Sequence, residues 1–567
     1  MKPTTPSRRA LWITSLAGLG LLAALFAACG SPADSDITPT PTRTPRPSPT
    51  LTPSPVPPTP TPAWPVTVFI PEGLPAPAAG TLDAVLADHS DLFVPASSAE
   101  SADIAVQFGH DFGIPLLAEW VYAVVAPFPT LTDEVAWSDV TAAWGGAPAG
   151  PFSGRPLLMT SDTAAALVPL LGDPAPGTVE ILSAEEITQH AWDNRPAWAI
   201  LPFDQLEPRW KALRVDGVSV LDKDLDTETY PLVIHLGLSG MIRGITKLEE
   251  TVSAPLTNRD SDKITVLLLT GVTALTRGTG IKMDQHGVTY PAQDIRDWLL
   301  EADITHISNE VSFAENCPPP ANYTSMVFCS NPTYIGLLED IDVDVVELTG
   351  NHLLDWGLAA MENSLQMYEE RAIPYYGGGW NETQARAPLT LTHGAHTFGF
   401  VGCNPAGPPE DWATEERAGS APCNFGALDD QLGPQIRQLR EQGIIPIVTL
   451  QYLENPTYEP TGLQRIEFRA LSEAGAVIVS GSQAHQPQSF DFVDGVFIHY
   501  GLGNLFFDQM QALEYRQEFL DRHVFYDGRH ISTEVLTAML EDYARPRPMT
   551  PEEREAFLTT VFGASGW

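Results

Sequence analysis

Short apolar runs alternate with amphipathic stretches along the chain from about residue 65 onwards. In the second half of the chain the apolar runs occupy 264–270, 303–308, 343–348, 397–404, 444–452, 476–481 and 496–508. Runs of this length predict strands buried on both faces, and amphipathic stretches such as 429–442 and 461–475 predict helices between them. The pattern therefore predicts an α/β fold whose parallel strands are connected by helices.

The first half of the chain shows a similar alternation. Its apolar runs lie at 66–70, 103–108, 122–128 and 198–203, with a helix-like stretch at 159–171. A chain of 567 residues is too long for a single hydrophobic core. We therefore predict one α/β domain over 65–250, a second over 255–545 and a helical tail over 546–567.

The stretch IDVDVVELTGNHLLDWG (341–357) carries the densest group of chemically useful side chains. Its strand ends at Thr349-Gly350, so Asn351, His352 and Asp355 lie on the loop at the carboxyl end, where open α/β sheets bind their ligands. An imidazole, a carboxamide and a carboxylate in this spacing suit a divalent metal or a phosphoryl oxygen. The alternative is a helix start, with Asn351 as its N-cap and His352 exposed.

Polar side chains also follow most of the other predicted strands, which favours a site over a helix start. They are Glu310, Gln451, Gln483, His485, Asn504 and Asp508, together with Asn381 after a triple-glycine turn. Because parallel strands end at one edge of a sheet, these side chains are expected to lie near one another.

The amino terminus reads as a targeting segment. Lys2, Arg8 and Arg9 precede an apolar run over 11–28, and Cys29 follows two alanines. This resembles a bacterial lipoprotein signal peptide over 1–29 whose cysteine is lipidated; the alternative is an ordinary transmembrane anchor. Residues 30–64 are rich in proline and threonine and predict an extended stalk. Both alternatives predict a membrane-anchored protein outside the cytoplasm, and the first predicts a surface lipoprotein.

The charge balance limits the partners. The chain has 31 Lys and Arg against 71 Asp and Glu, a net charge of −40. This excludes nucleic acid and argues against an anionic membrane surface. A polyanionic substrate would need a cation or a local basic pocket. Arg516, Arg522, His523, Arg529 and His530 form a basic cluster around a predicted hairpin at residues 527–528, which is either solvated or folded over the site.

Four cysteines remain after Cys29, in two close pairs. In an oxidising compartment an even number of cysteines predicts disulfides, with three connectivities for four cysteines. We favour Cys317–Cys329 and Cys403–Cys423, since each closes a local loop.

Two parts of the chain resemble known families. The motifs at 349–357, 375–388, 473–488 and 498–508 resemble the capsule-synthesis protein CapA family (poly-γ-glutamate capsule biosynthesis), which has a calcineurin-like metallophosphatase fold. That resemblance implies a four-layer α-β-β-α sandwich with a metal site at the strand ends. In the first half, 122–146 and 198–220 resemble extracytoplasmic solute-binding proteins of the phosphate type, which implies a small-ligand cleft in the 65–250 domain.

The chain departs from the CapA pattern at several expected metal ligands. Gly271 stands where the family usually has an aspartate, and Gln451 and Gln483 stand where it has histidines. The resemblance therefore implies fewer than two divalent ions. We predict a ligand set of Glu310, Asn351, His352, Gln451, Gln483 and His485. His352 is also the predicted general acid, oriented by Asp355, and Asn381 and Asn504 are the predicted substrate contacts.

Two functional hypotheses follow from the resemblance. In the first, the protein acts in the synthesis, anchoring or remodelling of an extracellular anionic polymer, poly-γ-glutamate or a capsular polysaccharide, by metal-assisted hydrolysis or transfer. In the second, it is a non-catalytic binding or scaffold protein whose metal site is degenerate.

Overall fold

A computed structural model describes residues 64–109 and 114–567. The predicted signal peptide, the lipidated Cys29 and the stalk as far as residue 63 lie outside the described residues. Within the two described ranges, none of the helices combines the length and the apolarity needed to cross a bilayer.

The amino-terminal region contains a ten-stranded mixed sheet with a short two-stranded one beside it. Its strands are β1 (Val66–Phe69), β2 (Phe93–Pro95), β3 (Ile104–Phe108), β4 (Leu116–Pro127), β5 (Glu134–Val135), β6 (Leu157–Met159), β7 (Val179–Ile181), β8 (Trp198–Pro202), β9 (Trp210–Ala212), β10 (Arg214–Val215), β11 (Val233–Gly240) and β12 (Leu256–Thr257). Its helices are α1 (Ala76–Asp88), α2 (Trp137–Trp144), α3 (Ser161–Leu171), α4 (Ile187–Asp193) and α5 (Ile242–Val252).

Strand β4 joins the two halves of this sheet. Its first part pairs with β11 and β12, and its second part pairs with β8 and β9. The principal strand order is β2-β1-β3-β11-β4-β8-β6-β7.

The carboxyl-terminal region contains a nine-stranded sheet, a six-stranded sheet and one small two-stranded sheet. Its strands are β13 (Ile264–Thr270), β14 (Val272–Thr273), β15 (Ile304–Asn309), β16 (Val345–Glu347), β17 (Tyr375–Tyr376), β18 (Gly378–Gly379), β19 (Leu389–His393), β20 (His396–Cys403), β21 (Gly419–Ser420), β22 (Ile445–Gln451), β23 (Ile478–Ser482), β24 (Phe490–Val493), β25 (Val496–His499), β26 (Asn504–Phe506), β27 (Gln517–Tyr526), β28 (Arg529–Glu541) and β29 (Arg545–Pro548). Its helices are α6 (Arg277–His286), α7 (Arg296–Leu300), α8 (Ile335–Asp340), α9 (Leu358–Arg371), α10 (Glu382–Ala385), α11 (Leu428–Glu441), α12 (Gly462–Glu473) and α13 (Pro551–Ala564).

The two large sheets stack face to face and each is covered by helices on its outer face. Leu267 and Leu269 of β13 face the second sheet, whereas Leu268 between them packs with helices α6 to α9, as the two-residue period of a strand requires. On the other side, Phe468 of α12 packs against β22 and β23. The four-layer α-β-β-α sandwich and the α/β class are therefore confirmed.

The amino-terminal sheet packs directly on this sandwich. Its core is continuous with Val266 of β13 and Val524 of β27, while Phe128, just after β4, lies in the core between the two large sheets. The described residues belong to one compact unit. Helix α13 also packs into the inter-sheet core, through Phe557 and Val561.

The favoured cysteine pairs both stand at disulfide distance. The sulfur atoms are 2.03 Å apart in Cys317–Cys329 and 2.07 Å apart in Cys403–Cys423. Each pair closes a loop that borders the site described below.

The prediction that these residues form a basic cluster is wrong. The hairpin of β27 and β28 lies inside the nine-stranded sheet, where His523 and His530 are buried and burial lowers their pKa values, that of His530 to about 3. Arg522 pairs with Glu534, and Arg516 pairs with Glu541. Arg529 is exposed and donates a hydrogen bond to the Asp204 carbonyl oxygen, so four of the five groups are neutral or paired and the cluster does not form as predicted.

Candidate functional site

The predicted site residues gather at the carboxyl ends of strands from both large sheets. Glu310 follows β15, and residues 351–355 follow the neighbouring parallel strand β16. Gln451 is the last residue of β22, and Gln483 follows β23, which is parallel to β22. The helix-cap interpretation of Asn351 is excluded, because α9 begins only at Leu358.

His352 lies at the centre of the site between two carboxylates. Its Nδ1 is 2.7 Å from Asp355 Oδ2, and its Nε2 is 3.6 Å from Glu310 Oε1. Burial opposes protonation of the ring, but the Asp355 hydrogen bond and the charge of Glu310 outweigh it and raise the His352 pKa. The side chain remains 17% exposed, so a ligand can reach it. The predicted pairing of His352 with Asp355 is therefore present in the structure.

Gly350 allows the loops of Glu310 and His352 to approach this closely. A Cβ atom at position 350 would lie 2.6 Å from Glu310 Cα and 2.8 Å from the Glu310 carbonyl oxygen. Both are backbone atoms, so no side-chain rotation relieves the clash. The glycine thus sets the distance between the carboxylate and the imidazole.

We expect Gly350→Ala to lower the free energy of unfolding by about 1–3 kcal/mol, because the added methyl forces the two loops apart. Chemical denaturation measures the change. Gly462→Ala is the matched control, since nothing lies within 4 Å of its added Cβ and it starts helix α12. Equal stability of the two variants would contradict the close approach.

The amides of the site bind one another. Gln451 Nε2 donates to Asn351 Oδ1 at 3.0 Å, and the Ser482 hydroxyl donates to Gln451 Oε1 at 3.0 Å. Gln451 therefore presents its NH2 group, and not the carbonyl predicted as a metal ligand, to Asn351 and towards Glu310. The chain of bonds continues inwards, where Ser482 Oγ lies 3.2 Å from Glu347 Oε1.

His485 belongs to a second part of the site. Its Nδ1 lies 2.8 Å from Asn504 Oδ1, and the Asn504 amide also donates to the Tyr515 carbonyl oxygen at 3.0 Å. Asn504, predicted as a substrate contact, is fully buried and orients His485. The rings of Phe328 and Phe507 separate the two histidines, with centroids 4.3 Å from His352 and 5.3 Å from His485, respectively.

Sequence reasoning missed Arg277, which holds these two rings in place. Its guanidinium lies over both, with Cζ 5.1 Å from the Phe328 centroid and 4.6 Å from the Phe507 centroid, and it pairs with the buried Asp508. Arg277 has a left-handed backbone, with φ of 44°. The residues around Arg277 gave no sign of this role, because they follow β14 and not one of the strands that carry the predicted site residues.

Asp411 was also missed. Its Oδ1 accepts a hydrogen bond from Leu354 N at 2.9 Å, and Oδ2 has no hydrogen-bond partner among the described residues. Burial, and to a smaller extent the charge of Asp355, raise its pKa to about 7. Asp411 lies on the irregular loop between Cys403 and Cys423, where no strand end or periodic pattern marks it.

Asn381 and Gln483 differ in how they relate to the site. Asn381 caps helix α10, accepting from Gln384 N at 3.0 Å, and makes no hydrogen bond to another predicted site residue in the described ranges. Gln483 is buried with φ of 71°, and its Oε1 lacks a hydrogen-bond partner within the described part of the chain.

The donor set fits one hard cation better than two metals. Among residues 64–109 and 114–567, no group of three or more His, Cys, Asp or Glu side chains could hold a metal ion. A two-metal centre, which needs a bridging carboxylate and several imidazoles, does not fit these residues. Glu310 Oε1 and Gln483 Oε1 are buried oxygens that accept no hydrogen bond from the described residues, and Mg²⁺ or Ca²⁺ prefers oxygens of this kind. Fewer than two ions remains a prediction.

Known proteins match the part of the chain that contains this site. Residues 266–509 match the family model of the bacterial capsule synthesis protein PGA_cap. Capsule biosynthesis protein CapA of Bacillus anthracis is 23% identical over 306 residues, which are 52% of this chain and 72% of that protein. PGA biosynthesis protein CapA of Bacillus subtilis is 25% identical over 184 residues, 32% of this chain and 47% of that protein, so the chain spans about half of this relative.

Solved structures give only distant likenesses. A phosphatase from Mycoplasma pneumoniae is 10% identical and covers 49% of this chain and 94% of its own, with a TM-score of 0.29. An ABC-type phosphate transport receptor from Vibrio cholerae is 12% identical and covers 33% of this chain and 93% of its own, with a TM-score of 0.28. Both structures are too distant from this chain to bear on its function, and the likeness to a family rests on the sequence matches. The sequence matches therefore show that residues 266–509 are similar to the bacterial capsule synthesis protein family PGA_cap.

Proposed function

We propose that this protein acts in the synthesis, anchoring or remodelling of an extracellular anionic polymer, poly-γ-glutamate or a capsular polysaccharide. The similarity to this family supports the polymer, since the two Bacillus relatives are named for capsule and PGA biosynthesis. We further propose that the polymer or its precursor binds at His352. The observation that carries this proposal is the hydrogen bond of 2.7 Å between His352 Nδ1 and Asp355 Oδ2 in a partly open site.

That bond assigns the roles of the two ring nitrogens. Asp355 engages Nδ1 and fixes the plane of the ring, so Nε2 is left to face the ligand. Glu310 is 3.6 Å from Nε2, which is too long for a hydrogen bond. A carboxylate or phosphoryl oxygen of the polymer can therefore accept a hydrogen bond from Nε2, and the same nitrogen can protonate a leaving group. In a chain of net charge −40, this imidazole provides local positive charge when protonated.

A second candidate function is cation-assisted hydrolysis or transfer at the same site. Two buried oxygens favour this candidate, Glu310 Oε1 and Gln483 Oε1, because they accept no hydrogen bond from the described residues. A bound hard cation would supply charge neutralisation for an anionic substrate. Glu310 and Gln483 would hold that cation, and His352 would keep its role as proton donor.

The setting we propose is the outer face of the cell membrane, with the chain anchored through a lipid on Cys29. The two cysteine pairs at disulfide distance fit an oxidising compartment. The anchor and the stalk would hold the described residues away from the membrane while they contact the polymer.

Full-length protein carrying His352→Gln is expected to bind poly-γ-glutamate roughly 10- to 100-fold more weakly than wild type, because one charged hydrogen bond to the polymer is lost. Isothermal titration calorimetry measures the affinity. His89→Gln, on the exposed end of helix α1, is the matched control and is expected to leave binding unchanged. Unchanged binding by the His352 variant would contradict the proposed site.

Metal analysis of the same preparations separates the two candidates. The second candidate expects about one divalent ion per chain, lost in Glu310→Gln, and cleavage of the polymer that requires that ion. Polymer binding without bound metal and without divalent-dependent cleavage would leave binding as the function and exclude the second candidate.

A further inference from the structure

A cavity of about 290 Å³ opens in the amino-terminal region, far along the chain from the His352 site. It lies where β6 and β8 end and where helices α1 and α3 begin. The side chains that matter for its chemistry are Trp120, Tyr122, Thr160, Asp162, Asp204 and Gln205.

Two aromatic residues in its wall carry hydrogen-bonding groups without partners. Trp120 and Tyr122 are two residues apart on β4 and therefore share a face. They are 6% and 1% exposed, and within residues 64–109 and 114–567 neither the indole N–H nor the phenol hydroxyl makes a hydrogen bond, although neither polar atom is fully enclosed. Buried Tyr hydroxyls and Trp N–H groups usually find a partner. These two are therefore available to a ligand.

Carboxylates provide the charge of this cavity. Asp162 and Asp204 line it, and within the described ranges no lysine or arginine does. Burial, then the charges of Asp204 and Asp162, raise the pKa of the Tyr122 hydroxyl, so both carboxylates act at that hydroxyl. Asp162 also lies in the first turn of α3 and supplies the negative charge that the helix N-terminus favours.

We infer that this cavity binds a small uncharged polyhydroxyl compound of monosaccharide size. Its walls offer both unpaired donors and carboxylate acceptors, and a hydroxyl group can pair with either.

Other ligand classes match the walls less well. Phosphate or a free carboxylate would be repelled by Asp162 and Asp204, with no cation in the wall to offset them. A protonated amine would satisfy the carboxylates but leave the Trp120 N–H unpaired, since an ammonium group accepts no hydrogen bond.

Isothermal titration of the full-length protein with D-glucose, D-galactose and N-acetyl-D-glucosamine tests this inference, with inorganic phosphate and ethanolamine as competing classes. At least one sugar is expected to bind at one site per chain, and phosphate and ethanolamine are not. Asp162→Asn and Trp120→Phe are each expected to weaken sugar binding at least tenfold. Asp173→Asn is the matched control, because Asp173 is exposed just beyond the opposite end of helix α3.

Three results would overturn the inference. The first is binding of phosphate or ethanolamine without binding of any sugar. The second is sugar binding that Asp162→Asn and Trp120→Phe leave unchanged. The third is the absence of heat with all three sugars from wild-type protein whose circular dichroism spectrum and melting transition show that it is folded.

Discussion

Replacement of Phe128 by alanine is expected to lower the free energy of unfolding by about 3–5 kcal/mol, the usual cost of deleting a fully buried phenyl ring. Phe128 is 2% exposed and reaches from the amino-terminal sheet into the core between the two large sheets. Five aromatic rings surround it edge-on at centroid distances of 5.3 to 5.9 Å: Phe490, Phe492, Phe497, Phe562 and Trp567. No single neighbour can fill the space that the ring leaves.

Guanidinium denaturation measures this effect, and the shape of the transition adds a second readout. Because Phe128 joins the amino-terminal sheet to the sandwich, wild type is expected to unfold in a single transition, and loss of the ring is expected to broaden or split it. Leu131→Ala is the control on the same loop, since Leu131 is 38% exposed and its truncation is expected to cost little. A Phe128 variant within about 0.5 kcal/mol of wild type would mean that the two regions are not energetically coupled.

The sequence was informative wherever local pattern and topology agree. Parallel strands with apolar runs end at one edge, so Glu310, His352 and Gln451 could be expected to meet before any distance was known. Their contacts in the structure follow that expectation. The cysteine pairs were predictable for a similar reason, because each closes a short loop.

Long-range packing could not be predicted from the sequence in the same way. The hairpin of β27 and β28 contains several charged or titratable residues and therefore resembles a solvated element. Its strands nevertheless pair with β13 in the middle of a sheet, and its histidines are buried. Part of this burial comes from β13, whose Leu267 pairs with His523 although it lies far away in the sequence.

Individual side chains of the site show the same limit. Asp411 lies on an irregular loop and Arg277 is the first residue of α6, so neither position carries a strand-end signal, yet they contact the His352 loop and its aromatic neighbours. Asn381 had the sequence pattern of a helix cap and is one, so its polar side chain is used locally. Residue type at a strand end predicts where a site lies, while the partners of each atom depend on tertiary geometry.

The second large effect concerns Glu518, a buried carboxyl group that no functional role explains. It is 0% exposed on β27, and neither carboxyl oxygen has a hydrogen-bond partner among the described residues. Burial raises its pKa well above the ordinary value of 4.5, so the folded chain keeps this carboxyl protonated to a higher pH than the unfolded chain does. The unfolded chain ionises it above about pH 4.5. Glu518→Gln keeps the size and neutrality of the protonated side chain and removes its titration.

Some carboxyl groups have a higher pKa in the folded chain than in the unfolded chain. The contribution of such a group to the stability of the fold is complete below the unfolded-state pKa and is lost as the pH rises. The stability advantage of Glu518→Gln over wild type is therefore expected to be small near pH 4.5 and to grow as the pH rises above it, by at most about 1.4 kcal/mol per pH unit. Unfolding free energies of both proteins at pH 4.5, 5.5 and 7 measure this slope. Glu555→Gln, on the exposed face of α13, is the control and is expected to show no such slope. A pH-independent difference for Glu518→Gln would mean that the carboxyl has the same pKa in the folded and unfolded chains, which requires a partner or solvent access in the fold.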